Sequence, residues 1–295
     1  IWLAASLVAL LSACQTPPPR VERTWALPEG VQEIDTNGYP TAYVSKGTGT
    51  PVVILHGVLC DYRCMGAQVR DLSPNFRVMS VSMRHFYPEK WQGDGSTFTV
   101  QQHVRDVAAF IEKTGGPAHV IGWSYGGRIA YELARTRPDL VKKLVLAEGA
   151  VAFPADGDSG EATLGRERAT ETEKRFRTVS MDDGLEYSID AINGPGVWKT
   201  LPPPSRALVR DNAWTIVGLG KDIWPQATCK DFGALKMPVL LVRGEKTTER
   251  FKTIVKEQGD CLPPSKVVIV PNGGHTAPLT QAAFFNAAVG DFLKQ

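Results

Sequence analysis

The chain has 295 residues, 43% of them apolar and 22% charged, a globular composition that excludes disordered, collagen-like and disulfide-dense mini-scaffold classes. Its 33 basic and 31 acidic residues leave a net charge of +2 with no dense Lys/Arg run, so no nucleic-acid partner is implied. No window of about 20 consecutive apolar residues exists, which excludes a membrane-spanning helix.

Taken in chain order, residues 1–13 (IWLAASLVALLSA) carry no charge and are too short to span a bilayer. They read as the apolar core of a signal peptide. The run ends in Leu11-Ser12-Ala13-Cys14, which resembles the bacterial lipobox, where the cysteine is lipidated and becomes the new N-terminus. An initiator Met and a positive leader are missing, so the sequence is expected to start downstream of its natural beginning. Gln15–Glu22 contains three prolines, cannot continue a helix, and makes residues 14–29 an extended tether. Gln rather than Asp at position 15 resembles the sorting pattern of outer-membrane lipoproteins. The expectation is a bacterial cell-envelope protein, lipid-anchored to the outer membrane through Cys14 and facing the periplasm. The competing reading is a core segment with an incidental Cys14.

Export leaves four cysteines, Cys60, Cys64, Cys229 and Cys261, in an oxidising compartment. Three pairings are open. Cys60–Cys64 with Cys229–Cys261 is favoured because the first two are close in sequence. Zinc is the alternative, but no His stands at ligand spacing, so no metal is expected; buried free thiols are the other.

From residue 51 apolar runs alternate with amphipathic stretches. Val52–Leu55, Arg77–Met83, Ala118–Trp123, Val141–Ala147, Val239–Arg243 and Val267–Val270 read as strands, with Thr41–Val44 and Val31–Ile34 as weaker edge strands. Thr99–Lys113 reads as a helix opened by a Thr99/Gln102 capping box, Gly127–Thr136 as a second. Thr280–Leu293 closes the chain, with Phe284, Phe285, Ala288, Val289 and Phe292 on its apolar side. Strands that are apolar throughout, alternating with helices, imply an α/β fold: a mostly parallel sheet covered on both faces. Residues 150–235 break the rhythm, being far longer than the usual connection of about 2–6 residues. They read as an inserted, mainly helical lid containing Trp198, Trp214 and Trp224, with a loop at 155–160. The tryptophans either cover an apolar substrate group or form the lid's own core. Residues 30–149 and 236–295 form the core around it.

Gly122-Trp123-Ser124-Tyr125-Gly126 matches G-x-S-x-G between a strand and a helix, the context that makes Ser124 a nucleophile. A serine hydroxyl needs a base. Among five histidines, His275 follows the last strand in Gly273-Gly274-His275, which places it at the carboxyl edge of the sheet with Ser124. His56 reads as shaping the oxyanion loop and, with His85 and Trp123, as a candidate pocket residue, and His103 and His119 as structural. The backbone N–H groups of Tyr125 and Val58 are the expected oxyanion donors.

Together His56-Gly57, the Ser124 pentapeptide and Gly273-Gly274-His275 resemble the α/β-hydrolase superfamily over residues 30–295, and Arg84–Pro88 is similar to its Arg-containing loop after the fourth strand. That resemblance implies the chain order Ser, acid, His. The family usually carries an Asp three residues after the Gly that ends the seventh strand; here that residue is Thr247. Glu148 is favoured as the acid, because it ends an apolar strand where an unpartnered carboxylate is costly. Glu245 is the alternative acid, with Glu249 slightly further on, and a site with no working acid remains open.

The resulting expectation is a serine hydrolase cleaving a carboxylic ester, or a related small-molecule acyl substrate, through an acyl-enzyme and without a cofactor. The alternatives are a catalytically degenerate binding lipoprotein on the same fold, and a cofactor-free perhydrolase or carbon–carbon bond hydrolase.

Overall fold

The computed structural model describes residues 21–93, 95–151, 160–222, 227–262 and 266–295. The expected signal peptide at 1–13, Cys14, the tether before residue 21, most of the 155–160 loop and Trp224 lie outside the described residues.

Eight strands form one sheet: β1 (Gln32–Thr36), β2 (Tyr39–Lys46), β3 (Pro51–Leu55), β4 (Arg77–Val81), β5 (Ala118–Trp123), β6 (Val141–Ala147), β7 (Val239–Gly244) and β8 (Lys266–Val270). Their spatial order is β1-β2-β4-β3-β5-β6-β7-β8. β1 and β2 pair antiparallel, β2 and β4 antiparallel, and every later pair is parallel. The edges are therefore β1 and β8, not β2, which has a partner on each side.

Alternation along each strand sends side chains to two cores. Val53 and Leu55 of β3 face one side, where helices α2 (Val100–Lys113), α3 (Tyr125–Thr136) and α10 (Glu249–Cys261) supply Val107, Ile111, Ile129, Leu133 and Val255. Val52 and Ile54 face the other, covered by α1 (Gly66–Leu72), α11 (Ala277–Thr280) and α12 (Ala282–Lys294) through Val69, Leu72, Ala277, Phe285 and Val289. All four β3 residues are fully buried, each worth about 1.5–3 kcal/mol of burial free energy. On α12, Phe284 points outward at 45% exposure, so the apolar side is narrower than its sequence implied. At α2, Thr99 accepts from the Gln102 N–H, but the Gln102 amide turns to Asp106, so only half of the expected capping box forms.

The sheet runs outward from β3 in both directions, to β4 on one side and β5 on the other. The loops after β3 and β5 therefore face each other across the point where strand order reverses, the crevice where open α/β sheets bind ligands.

Between β6 and β7 stand α4 (Gly160–Thr178), α5 (Met181–Asn193), α6 (Val197–Thr200), α7 (Pro203–Asp211) and α8 (Thr215–Lys221). They share a core of Leu185, Ile189, Trp198, Ile216 and Val217, with Trp214 packed on it against Phe176. Leu59, from the loop after β3, is buried in that same cluster. The next helix, α9 (Cys229–Gly233), packs on the sheet side instead, with Phe232 stacked 4.8 Å from Tyr131. Disulfides join Cys229 to Cys261, tying α9 to the end of α10, and Cys60 to Cys64.

Candidate active site

Ser124 sits between β5 and α3 with φ 54° and ψ −117°, a strained turn that lifts its hydroxyl off the sheet. The turn requires glycine at two places. A Cβ on Gly122 would strike the Gly126 carbonyl and Ala130, and one on Gly126 would strike the carbonyls of Leu55 and His56.

The Ser124 Oγ lies 3.0 Å from His275 Nε2, and His275 Nδ1 lies 2.6 Å from Glu148 Oε2. All three residues are buried, at 9%, 6% and 2% exposure. Glu148 leaves β6 with φ 45° and its N–H bonded to the Val242 carbonyl, which turns its side chain along the top of the sheet. Its carboxylate is fully engaged: the Gly244 N–H donates to Oε1 at 2.8 Å, and the Thr247 hydroxyl to Oε2 at 2.8 Å. A carboxylate with such donors is oriented and solvated by the protein despite its burial. The imidazole of His275 is stacked at 3.9 Å on Phe251, and its carbonyl accepts from Trp123 Nε1 at 2.9 Å.

Tyr125 is the first residue of α3, so its N–H lies at the positive end of that helix, outside the helical ladder. Its side chain runs away from the site to His103, whose Nδ1 is 2.8 Å from the hydroxyl. Val58 lies opposite, in the loop after β3. His56 Nδ1 bonds the Gly57 carbonyl at 2.8 Å, and the Met83 N–H donates to His56 Nε2 at 3.3 Å. This pattern requires the neutral ring with its proton on Nδ1, and burial lowers the His56 pKa to about 4. The Gly57 carbonyl and the Val58 N–H belong to one planar peptide unit, so holding the first aims the second.

A cavity of about 490 Å³ opens on Ser124 and His275. Val58 and Trp123 line its base, and the Cys60–Cys64 bridge one wall. Its roof is apolar and comes from the helices between β6 and β7, with Ile189, Ile192, Val197, Leu201, Leu208 and Val209. Size and lining suit a largely apolar small molecule.

The alpha/beta hydrolase family matches this sequence over residues 52–288. The chain belongs to that family. The hydrolase is 26% identical over 273 residues to a Bacillus subtilis (strain 168) protein assigned as a 2-succinyl-6-hydroxy-2,4-cyclohexadiene-1-carboxylate synthase, covering 86% of this chain and 94% of the relative. It is 24% identical over 242 residues to a pimeloyl-(acyl-carrier protein) methyl ester esterase of Nitrosomonas europaea, covering 78% and 90% of the two chains. Its fold is similar to that of a thermophilic esterase from Thermogutta terrifontis, with a TM-score of 0.72, 23% identity and coverage of 93% and 98%. Its homologues thus include esterases and other hydrolases.

Two residues expected in the hydrolase's pocket are elsewhere. His56 is completely buried beneath the loop and reaches the site only through the Gly57–Val58 peptide. His85 is turned into a separate cluster, 3.2 Å from Glu89, 2.8 Å from Thr97 Oγ1 and stacked on Trp91, and does not line the cavity. The alternative acids are also remote in function: Glu245 accepts from the Asn272 N–H, and Glu249 is an exposed partner of Lys252. Trp198 and Trp214 form the core of the insertion rather than the cavity wall. Thr247, which stands where the family resemblance implied an Asp, instead donates a hydrogen bond to the Glu148 carboxylate at the end of β6. Phe251 was not foreseen; its place three residues into α10 carries no signal in the sequence.

Proposed function

We propose that this protein is a serine hydrolase that cleaves a carboxylic ester through an acyl-enzyme. The observation that carries this reading is the continuous relay Ser124–His275–Glu148, opening on an apolar cavity. Ser124 Oγ attacks the carbonyl carbon while His275 Nε2 takes its proton. Glu148 holds the imidazole through Nδ1 and stabilises the imidazolium that forms. The Val58 and Tyr125 N–H groups receive the oxyanion. Collapse of the tetrahedral intermediate expels the alcohol, protonated by His275, and leaves the acyl group on Ser124. Water, deprotonated by the same imidazole, then releases the acid. No step needs a cofactor. The esterase relative from Nitrosomonas europaea supports an ester as substrate.

The insertion acts in this scheme as a lid over the acyl group, its roof residues excluding water. The uncharged 1–13 segment and the Leu11-Ser12-Ala13-Cys14 run support export and lipid anchoring at Cys14, with the enzyme facing the periplasm.

A fluorophosphonate probe tests the chemistry. It labels the folded wild type and leaves Ser124→Ala unlabelled; an unlabelled wild type overturns the reading. Metabolic labelling with an alkynyl fatty acid tests the anchor: the intact precursor incorporates it and Cys14→Ser does not, whereas equal incorporation sinks the assignment.

A further inference from the structure

The two peptide units flanking the Val58 Cα are held by different parts of the molecule. The Gly57–Val58 unit is fixed from the sheet, through His56. The Val58–Leu59 unit is fixed from the insertion: the Leu59 N–H donates to Thr215 Oγ1 at 3.2 Å across 156 residues of sequence. Thr215 is 1% exposed, and its own hydroxyl donates to the Asn212 carbonyl at 2.6 Å, which orients its lone pairs. Asn212, 2% exposed, adds a second clasp three residues away. Its amide Nδ2 donates to Asp61 Oδ2 at 2.7 Å, and its Oδ1 accepts from the Tyr87 N–H at 2.8 Å.

Between these anchors Leu59 has φ 62°, in the left-handed region. A bulky residue persists there only where its surroundings over-determine it. Here they do so twice, through the Thr215 bond and through burial of the Leu59 side chain among Leu185, Ile189 and Ile216.

We propose that Thr215, supported by Asn212, is a positioning residue for ester hydrolysis: by holding the Leu59 N–H it fixes the Val58 Cα from the other side and, jointly with His56, the aim of the Val58 N–H at the oxyanion. The inference rests on the acyl-enzyme reading above and makes the insertion part of the catalytic apparatus as well as a cover. Without the Thr215 acceptor the buried Leu59 N–H loses its partner, and the Val58–Leu59 unit is free to turn towards an ordinary backbone conformation, which moves the shared Val58 Cα and tilts the Val58 N–H that is bonded to it. A donor misaimed by such a turn weakens binding of the developing oxyanion far more than binding of the neutral ester, so the loss falls on kcat rather than KM.

The test compares Thr215→Val, which keeps the shape and removes the acceptor, with Thr215→Ser, which keeps the acceptor. On a short nitrophenyl ester, Thr215→Val is expected to lose about tenfold or more in kcat with KM within about twofold. The fluorophosphonate labelling rate should fall in parallel, because the phosphonyl oxygen occupies the same hole. Thr215→Ser should stay within about twofold of wild type on both measures. Should Thr215→Val fail to unfold cooperatively, Thr215→Ala, which opens space instead of filling it, takes its place. A folded Thr215→Val or Thr215→Ala enzyme with wild-type kcat overturns the positioning role, even if its thermal midpoint is lower. Ser124→Ala separates the two claims. If that variant still turns over ester, the acyl-enzyme reading has failed. If it is inactive while Thr215→Val is unimpaired, only the positioning role has.

Discussion

At the residue scale, Glu148 is the carboxylate that meets the His275 imidazole, while Thr247 stands where the family resemblance implied an Asp. Its Oε2 is shared by the imidazole and the Thr247 hydroxyl. Glu148→Gln should preserve the fold and lower kcat by roughly 10³–10⁴-fold on a nitrophenyl ester, because a neutral amide neither fixes the tautomer nor stabilises the imidazolium. Adding Thr247→Asp to that variant returns a carboxylate to the neighbouring position and should recover at least about tenfold. Full activity in Glu148→Gln alone would mean that the acid lies elsewhere. Much of this site was legible. Ser124 and His275 stand in local motifs, and Glu148 interrupts an apolar strand, where a carboxylate needs a partner. The pairing of Glu148 with Thr247 was visible only as an oddity at position 247, because two residues 99 apart carry no mutual signal until the strands that precede them lie side by side.

Buried histidines set a pH dependence at the same scale. Burial lowers His56 and His119 to about 4 and His103 to about 3, from 6.5 in an exposed chain. The unfolded chain therefore binds more protons than the folded protein as pH falls below 6.5. Stability is fully present above that value and is lost as pH falls towards the folded pKa values. Each group contributes about 1.4 kcal/mol per pH unit inside its window, so unfolding free energy should drop by several kcal/mol between pH 7 and 4.5. Denaturant titrations at the two pH values check this. His103→Gln should flatten the dependence by roughly a third; an unchanged slope would contradict the assignment.

At the element scale, the nucleophile turn leaves no room for side chains where β5 enters α3. Gly126→Ala must displace the Leu55 or His56 carbonyl, so a loss of about 1–3 kcal/mol in stability is expected, with activity falling further because the same movement shifts the oxyanion loop. Calorimetry with an ester assay measures both, and wild-type values in each would refute it. Core strands and helices were legible from their periodicity, and α3 starts two residues earlier than its apolar pattern, at Tyr125, because the elbow itself forms the first turn. The β1–β2 pair was less clear. Asn37-Gly38, both residues with positive φ, joins Thr36 to Tyr39 in a two-residue hairpin turn. Half-exposed strands without a long apolar run give little to read.

At the scale of the whole molecule, the long interval between β6 and β7 and its helices were legible, but the contact of Thr215 with the loop after β3 was not, since nothing local links Thr215 to Leu59. The disulfides divide similarly. Cys229–Cys261 closes 32 residues of chain and Cys60–Cys64 only 4. Loop-closure entropy then assigns about 4 kcal/mol to the first and about 2 kcal/mol to the second. The double variant Cys229→Ser/Cys261→Ser should lose more stability in denaturant unfolding than Cys60→Ser/Cys64→Ser, whereas the second pair, on the cavity wall, should alter ester preference more. The central claim is that Ser124 carries the acyl group. Rapid mixing of wild type with a nitrophenyl ester, followed by intact-mass measurement, addresses it directly. A burst of nitrophenolate equal to the enzyme concentration and one acyl adduct mapping to Ser124 are expected. Steady turnover with no adduct, or turnover that survives in Ser124→Ala, would contradict it.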